Sequence, residues 1–159
     1  MKRLTTLFTA VAAVALFAMM LLTFADVFSR KFLTNSITGT VELTELLMMV
    51  MIFFALPLAA LSGQHIVFDL LDRVLPPGLL RWQKTLSQGL TALVLSGAAW
   101  IVWERAMRTG RLGDMTSALE IRLVPFHYMA AVMLALSALA HAWMAWRAAH
   151  GHDEQPPPP

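Results

Sequence analysis

The sequence predicts an all-α membrane protein: four transmembrane helices plus a short interfacial amphipathic helix. Three observations predict it. The chain is 58% hydrophobic and only 14% charged over 159 residues, whereas a soluble domain carries about 25% charged residues. Its apolar residues are gathered into four runs, each long enough to cross a bilayer. Trp82, Trp100, Trp103, Trp143 and Trp146 lie near the ends of those runs, where amphipathic rings prefer the headgroup level. A water-soluble chain of this size could not bury so much apolar surface, so membrane lipid is the predicted solvent and first partner.

The first run, Leu4 to Phe24, holds no charge and is roughly 31 Å long at about 1.5 Å per residue, against a hydrocarbon core of about 30 Å. Lys2 and Arg3 ahead of it also suit a secretory signal. Such h-regions run only about 7 to 15 residues, and Thr23-Phe24-Ala25 is a poor small-x-small cleavage site, so the run is read as a span, about 4–24. The second span, about 42–61, opens on Glu42 and Glu45, carboxylates that suit the positive end of a helix dipole. Pro57 interrupts it, which predicts a kink. The third and fourth spans are about 85–104 and 123–146.

Small residues mark where helices pack in lipid, because they let backbones approach. Thr85, Gly89, Ala92, Ser96 and Ala99 form such a stripe on the third span, and Ala131, Ala135 and Ala138 on the fourth. Both are predicted packing faces of a tight bundle. Between the second and third spans, residues 66–75 put Ile66, Val67, Leu70, Leu71, Val74 and Leu75 on one face, with Asp69, Asp72 and Arg73 elsewhere. That pattern predicts an interfacial amphipathic helix, ended by Pro76-Pro77-Gly78. Arg105 to Arg122 is polar with two glycines and is expected to be a surface loop. Residues 1–149 thus make one four-helix domain, and the proline-rich tail 150–159 is expected to be disordered.

Charged residues near membrane depth are functional candidates. Asp26 with Arg30, Glu42 with Glu45, and Glu104 with Arg108 all fall at span ends on one side of the membrane. Together they form a polar collar with two readings: a docking surface for a partner, or plain capping of helix ends. The span centres hold no ionisable group of the kind a transport site needs. Nor are there GxSxG, HExxH or phosphate-loop motifs, so no enzyme activity is expected. The net charge of +2 is scattered and suggests no nucleic acid. With no cysteine, disulfides and thiolate metal sites are excluded. No metal site or cofactor is expected.

Basic residues tie at six on each side of the membrane. Lys2 and Arg3, immediately before the first span, favour cytoplasmic termini. Two rival functions come from the residues alone. One is a haem-binding electron-transfer anchor, since His65 and His141 end on the same side. The other is an orphan membrane assembly protein.

Several stretches carry a resemblance. Asp26-Val27-Phe28-Ser29-Arg30 closes the first span, and Gly39 to Met48 opens the second with Glu42. Gly63-Gln64-His65-Ile66-Val67-Phe68-Asp69-Leu70-Leu71 follows, then Thr116-Ser117-Ala118-Leu119 with Pro125 ahead of the fourth span. In order and spacing these resemble the small membrane subunit of TRAP transporters, the tripartite ATP-independent periplasmic systems. Gly63, His65, Asp69 and Pro125 are the positions that match its motifs. Two departures are visible: Val41 precedes Glu42 where many members have a second acid, and Leu61-Ser62 replaces basic residues ahead of Gly63. The resemblance implies a static scaffold subunit in a bacterial inner membrane. Its implied partners are a large multi-span permease subunit, which holds the sodium and substrate sites, and a periplasmic binding protein that delivers an organic acid.

Overall fold

A computed structural model describes residues 2–61 and 77–150. Four helices account for most of them: α1 (Lys2–Leu33), α2 (Thr40–Leu61), α3 (Pro77–Leu112) and α4 (Val124–Ala149). Each is long and apolar enough to cross a membrane, and the chain is an all-α, multi-pass membrane protein. The expected interfacial helix at 66–75, with Gly63, His65 and Asp69, lies outside the described residues, as does the tail from residue 151.

The helices outrun the apolar runs. Hydropathy marks where a helix leaves lipid, whereas backbone chemistry decides where it stops. α1 continues through Asp26 and Arg30 to Leu33, and Thr34 ends it in the left-handed region at φ 53°. Arg105 to Leu112, expected to be loop, instead adds two further turns to α3. Glu104 and Arg108 bond one turn apart on it, an arrangement that supports helix. Gly113, at φ 71°, then closes it. Its N–H donates to the Thr109 carbonyl at 2.9 Å, and the Asp114 N–H reaches the same oxygen at 3.3 Å, so the orphan carbonyl of the last turn is satisfied. Pro57 is buried inside α2, which runs on through it to Leu61.

α1 packs along α2, α2 along α4, and α4 along α3. The spatial order is therefore α1–α2–α4–α3, with the last helix of the sequence in the middle. Burial agrees: 33% of the α4 span is buried, against 6% for α1 and α3. The α4 contact face is Ala130, Ala131, Leu134, Ser137, Ala138 and His141, and Ala99 and Ala106 of α3 are buried with it. Phe8 meets Phe54 edge-on across α1 and α2 at 5.7 Å, and Trp103 meets Tyr128 across α3 and α4 at 5.0 Å. Hydroxyls within the spans turn back on their own helices. Thr9, Thr23, Thr44, Thr91 and Ser137 each donate to the carbonyl four residues earlier, at 2.8–2.9 Å. In lipid this satisfies the group without a partner.

Candidate functional site

The richest polar structure lies at the end of the molecule where α1 and α3 finish and α2 and α4 begin. Asp26 sits on the last turns of α1 and is only 5% exposed. Its Oδ2 takes Arg30 at 2.6 Å. Its Oδ1 accepts from the Ser36 hydroxyl and the Ile37 N–H, each at 3.0 Å. Thr40 Oγ1 lies 3.4 Å from the same oxygen, but its one proton is better placed on the Ile37 carbonyl at 2.8 Å. The connector is thus folded back onto the helix it leaves, and Ser29 donating to the Asn35 carbonyl at 2.8 Å holds it there too.

Glu42, in the first turn of α2, reaches to the other connector. Its two oxygens accept the backbone N–H groups of Ala118 and Leu119, at 2.6 and 3.0 Å. Those donors belong to a compact loop, residues 113–123. Met115 and Arg122 form a bridge across its base. Thr116 receives Glu120 N–H on its carbonyl and Ile121 N–H on its hydroxyl, and Glu120 adopts φ 53° to complete the turn. The Leu119 side chain lies over Gly39, whose φ of +83° starts α2. The two connectors are therefore joined twice, by a carboxylate on two amides and by a leucine on a glycine.

The six collar residues divide by what they touch. Asp26 and Glu42 direct their oxygens to the chain's own donors. Arg30 pairs with Asp26, and Arg108 with Glu104. The Glu45 side chain is exposed and makes no hydrogen bond or ion pair among the described residues. Pro125 falls in the first turn of α4, where its missing N–H has no helical acceptor to lose.

The small-residue stripes also divide. Ala99, Ala131 and Ala138 are buried. Ala92, Ser96 and Ala135 are more exposed, and all six line an open apolar groove of about 640 Å³ between α3 and α4, with Trp100 and Trp103 along it. A Cβ on Gly89 would meet nothing within 4 Å, and Thr85 is half-buried. The periodicity identifies faces that a helix could approach closely, and within this chain only part of each face is so approached.

Three features have no local sequence signal. Glu42 and its amides are 76 and 77 residues apart. Gln88 Oε1 lies 2.6 Å from His141 Nδ1, a polar link between α3 and α4. Thr109 is 3% exposed beneath the loop. The Gln88 contact occupies one His141 ring nitrogen, and His65, the other half of the haem reading, lies outside the described residues. Among the described residues no three His, Asp or Glu side chains gather as metal ligands would. The arrangement joins and stiffens helix ends.

A sequence model of the family described as "Tripartite ATP-independent periplasmic transporters, DctQ component" matches residues 19–151, well over half of the chain. No curated protein and no solved structure matches it.

Proposed function

Because the chain belongs to the DctQ family of tripartite ATP-independent periplasmic transporter components, we propose that it is the static scaffold subunit of a sodium-driven importer of an organic acid. In this reading the large multi-span permease carries the sodium and substrate sites. A periplasmic binding protein delivers the acid, and the small subunit widens and anchors the permease in the bacterial inner membrane. The termini face the cytoplasm, which puts Asp26, Glu42 and the 113–123 loop on the periplasmic side.

The observation that carries the proposal is the distribution of polar chemistry. Aspartate, glutamate, lysine and arginine stand toward the ends of the spans and none at their centres, the buried His141 within α4 is taken up by Gln88, and span hydroxyls bond within their own helices. A subunit that moved an ion or an acid itself would need such groups at the midplane. Two further features suit a scaffold. The outer helices leave most of their apolar surface uncovered, and the small-residue groove between α3 and α4 is open to another helix.

The test is affinity recovery of the tagged chain from its native membranes in mild detergent, read by mass spectrometry. Stoichiometric recovery of one large multi-span permease is expected. Recovery of the chain alone, or with redox proteins, would overturn the assignment. Vesicles holding this chain without the permease are expected to show no sodium-driven uptake.

A further inference from the structure

On the outer side of α3, past Trp103, lies a half-open pocket of about 350 Å³. Four charged side chains line it: Glu104, Arg105, Arg108 and Asp114. Two of them, Glu104 and Arg108, bond each other. Among the described residues the Arg105 guanidinium and the Asp114 carboxylate have no hydrogen bond or ion pair. The Asp114 main chain, in contrast, is fixed at both ends: its N–H lies on Thr109, and its carbonyl accepts Leu123 N–H at 3.2 Å. The pocket therefore presents one unmatched positive and one unmatched negative group on a rigid frame.

Its depth is marked by its neighbours. Trp103 and Trp100, two and five residues nearer the membrane centre than Arg105, are rings of the kind that sit at the headgroup boundary. Arg105 follows at headgroup level. Directly below it on the same helix face runs a lane of Ile101, Gly97, Val94 and Leu90, spaced four, three and four apart. Ile101, Val94 and Leu90 are each about 60% or more exposed (66%, 59% and 62%). Gly97 recesses the lane, since a Cβ there would meet nothing within 4 Å. α4 packs on a different face of α3, the one carrying Ala99 and Ala106.

We propose that this pocket binds the head group of a zwitterionic phospholipid bearing a primary ammonium, with the phosphate on Arg105, the ammonium on Asp114, and an acyl chain in the lane below. Arginine's planar fork suits phosphate oxygens, and a carboxylate accepts from an ammonium. An anionic lipid would leave Asp114 facing negative charge, and a quaternary ammonium has no N–H to donate. The proposal does not depend on the transporter reading or on which way the chain is oriented.

The test is native mass spectrometry of the full-length chain, released from detergent with equal amounts of phosphatidylethanolamine, phosphatidylcholine and phosphatidylglycerol. Phosphatidylethanolamine is expected to be retained preferentially. Arg105→Gln and Asp114→Asn should each weaken that retention about tenfold, equivalent to about 1.4 kcal/mol. Arg111→Gln makes the same charge change at the same helix end without lining the pocket, and should leave retention within roughly twofold. Equal retention of the three lipids, or equal loss in all three variants, would overturn the proposal. So would binding of the water-soluble head group glycerophosphoethanolamine as tight as the intact lipid, which would place the ligand in solution rather than in the bilayer.

Discussion

Gly39→Ala is the substitution whose effect follows most directly from the geometry. Gly39 holds φ +83°, a region where an L side chain costs roughly 1–2 kcal/mol. A Cβ built there would lie 2.6 and 2.7 Å from Leu119 Cδ1 and Cδ2, and closer still to Cγ, well inside the ordinary carbon–carbon separation of about 3.5–4.0 Å. Leu119 is 40% exposed, so its side chain has room to swing outward. Its own N–H is tied to Glu42 at 3.0 Å, so the backbone yields less readily. Overpacking of this kind costs about 1–3 kcal/mol. The two effects sum to roughly 2–5 kcal/mol of lost stability. They are separable: Leu119→Ala removes the clash but not the backbone strain. The Gly39→Ala, Leu119→Ala double variant should thus be about 1–3 kcal/mol more stable than the sum of the two single effects. Unfolding of all three variants in one detergent, followed by helix signal, measures this. A neutral Gly39→Ala, or a double variant no more stable than the sum of the singles, would refute the close approach between the connectors.

Four other outcomes are expected. Glu42→Gln keeps one acceptor oxygen but turns an amide nitrogen toward a donor, so hydrogen exchange at Ala118 and Leu119 should accelerate; unchanged protection would show that the loop holds itself. Asp26→Ala strands Ser36, Ile37 and Arg30, whereas Asp26→Asn keeps an oxygen for Ser36 and Ile37 and strands only Arg30, so protease cleavage within residues 34–38 should be faster for alanine than for asparagine; identical rates would mean that only the Arg30 pairing matters. Ala131→Leu forces bulk into a contact 2% exposed and should cost about 1–3 kcal/mol, whereas Gly89→Leu should leave the isolated chain's stability unchanged, and thermal melts of the pair would expose the reverse. Gln88→Ala removes the link to His141 and should cost about 0.6–2 kcal/mol, the range for interhelical bonds in lipid; no shift in unfolding would show that the contact carries no net stabilisation.

What sequence reveals here depends on the range of the interaction. The four spans are legible because each apolar run is itself the cause of the helix it forms in lipid. Pro125 is legible for the same reason, as its effect is confined to its own turn. The end of α3 is not, because the stop depends on Gly113 bonding back to Thr109 rather than on where apolar residues cease. The stripes are half legible: spacing puts Ala92, Ser96 and Ala99 on one side of a helix, but only the neighbouring helix decides that Ala99 is covered and Ser96 is not. Glu42 announces a helix start, and it is that. That it also grips a loop across the molecule depends on α2 and α4 lying side by side, which no local pattern in either helix states.

The central place of α4 has a consequence for biosynthesis. Helices enter the bilayer in chain order, so α1 and α2 can pair as soon as both are inserted. α3 must then wait, since its main partner is the helix that follows it. During that interval its buried-face residues Ala99 and Ala106, and the buried Thr109, stand in lipid or against whatever insertion factor holds them. When α4 arrives it docks on α3 and on α2 together, brings the 113–123 loop within reach of Glu42, and converts a hairpin and a lone helix into one body. A nascent chain arrested before Val124 would therefore present as two independent membrane pieces, with the collar carboxylate Glu42 still unengaged.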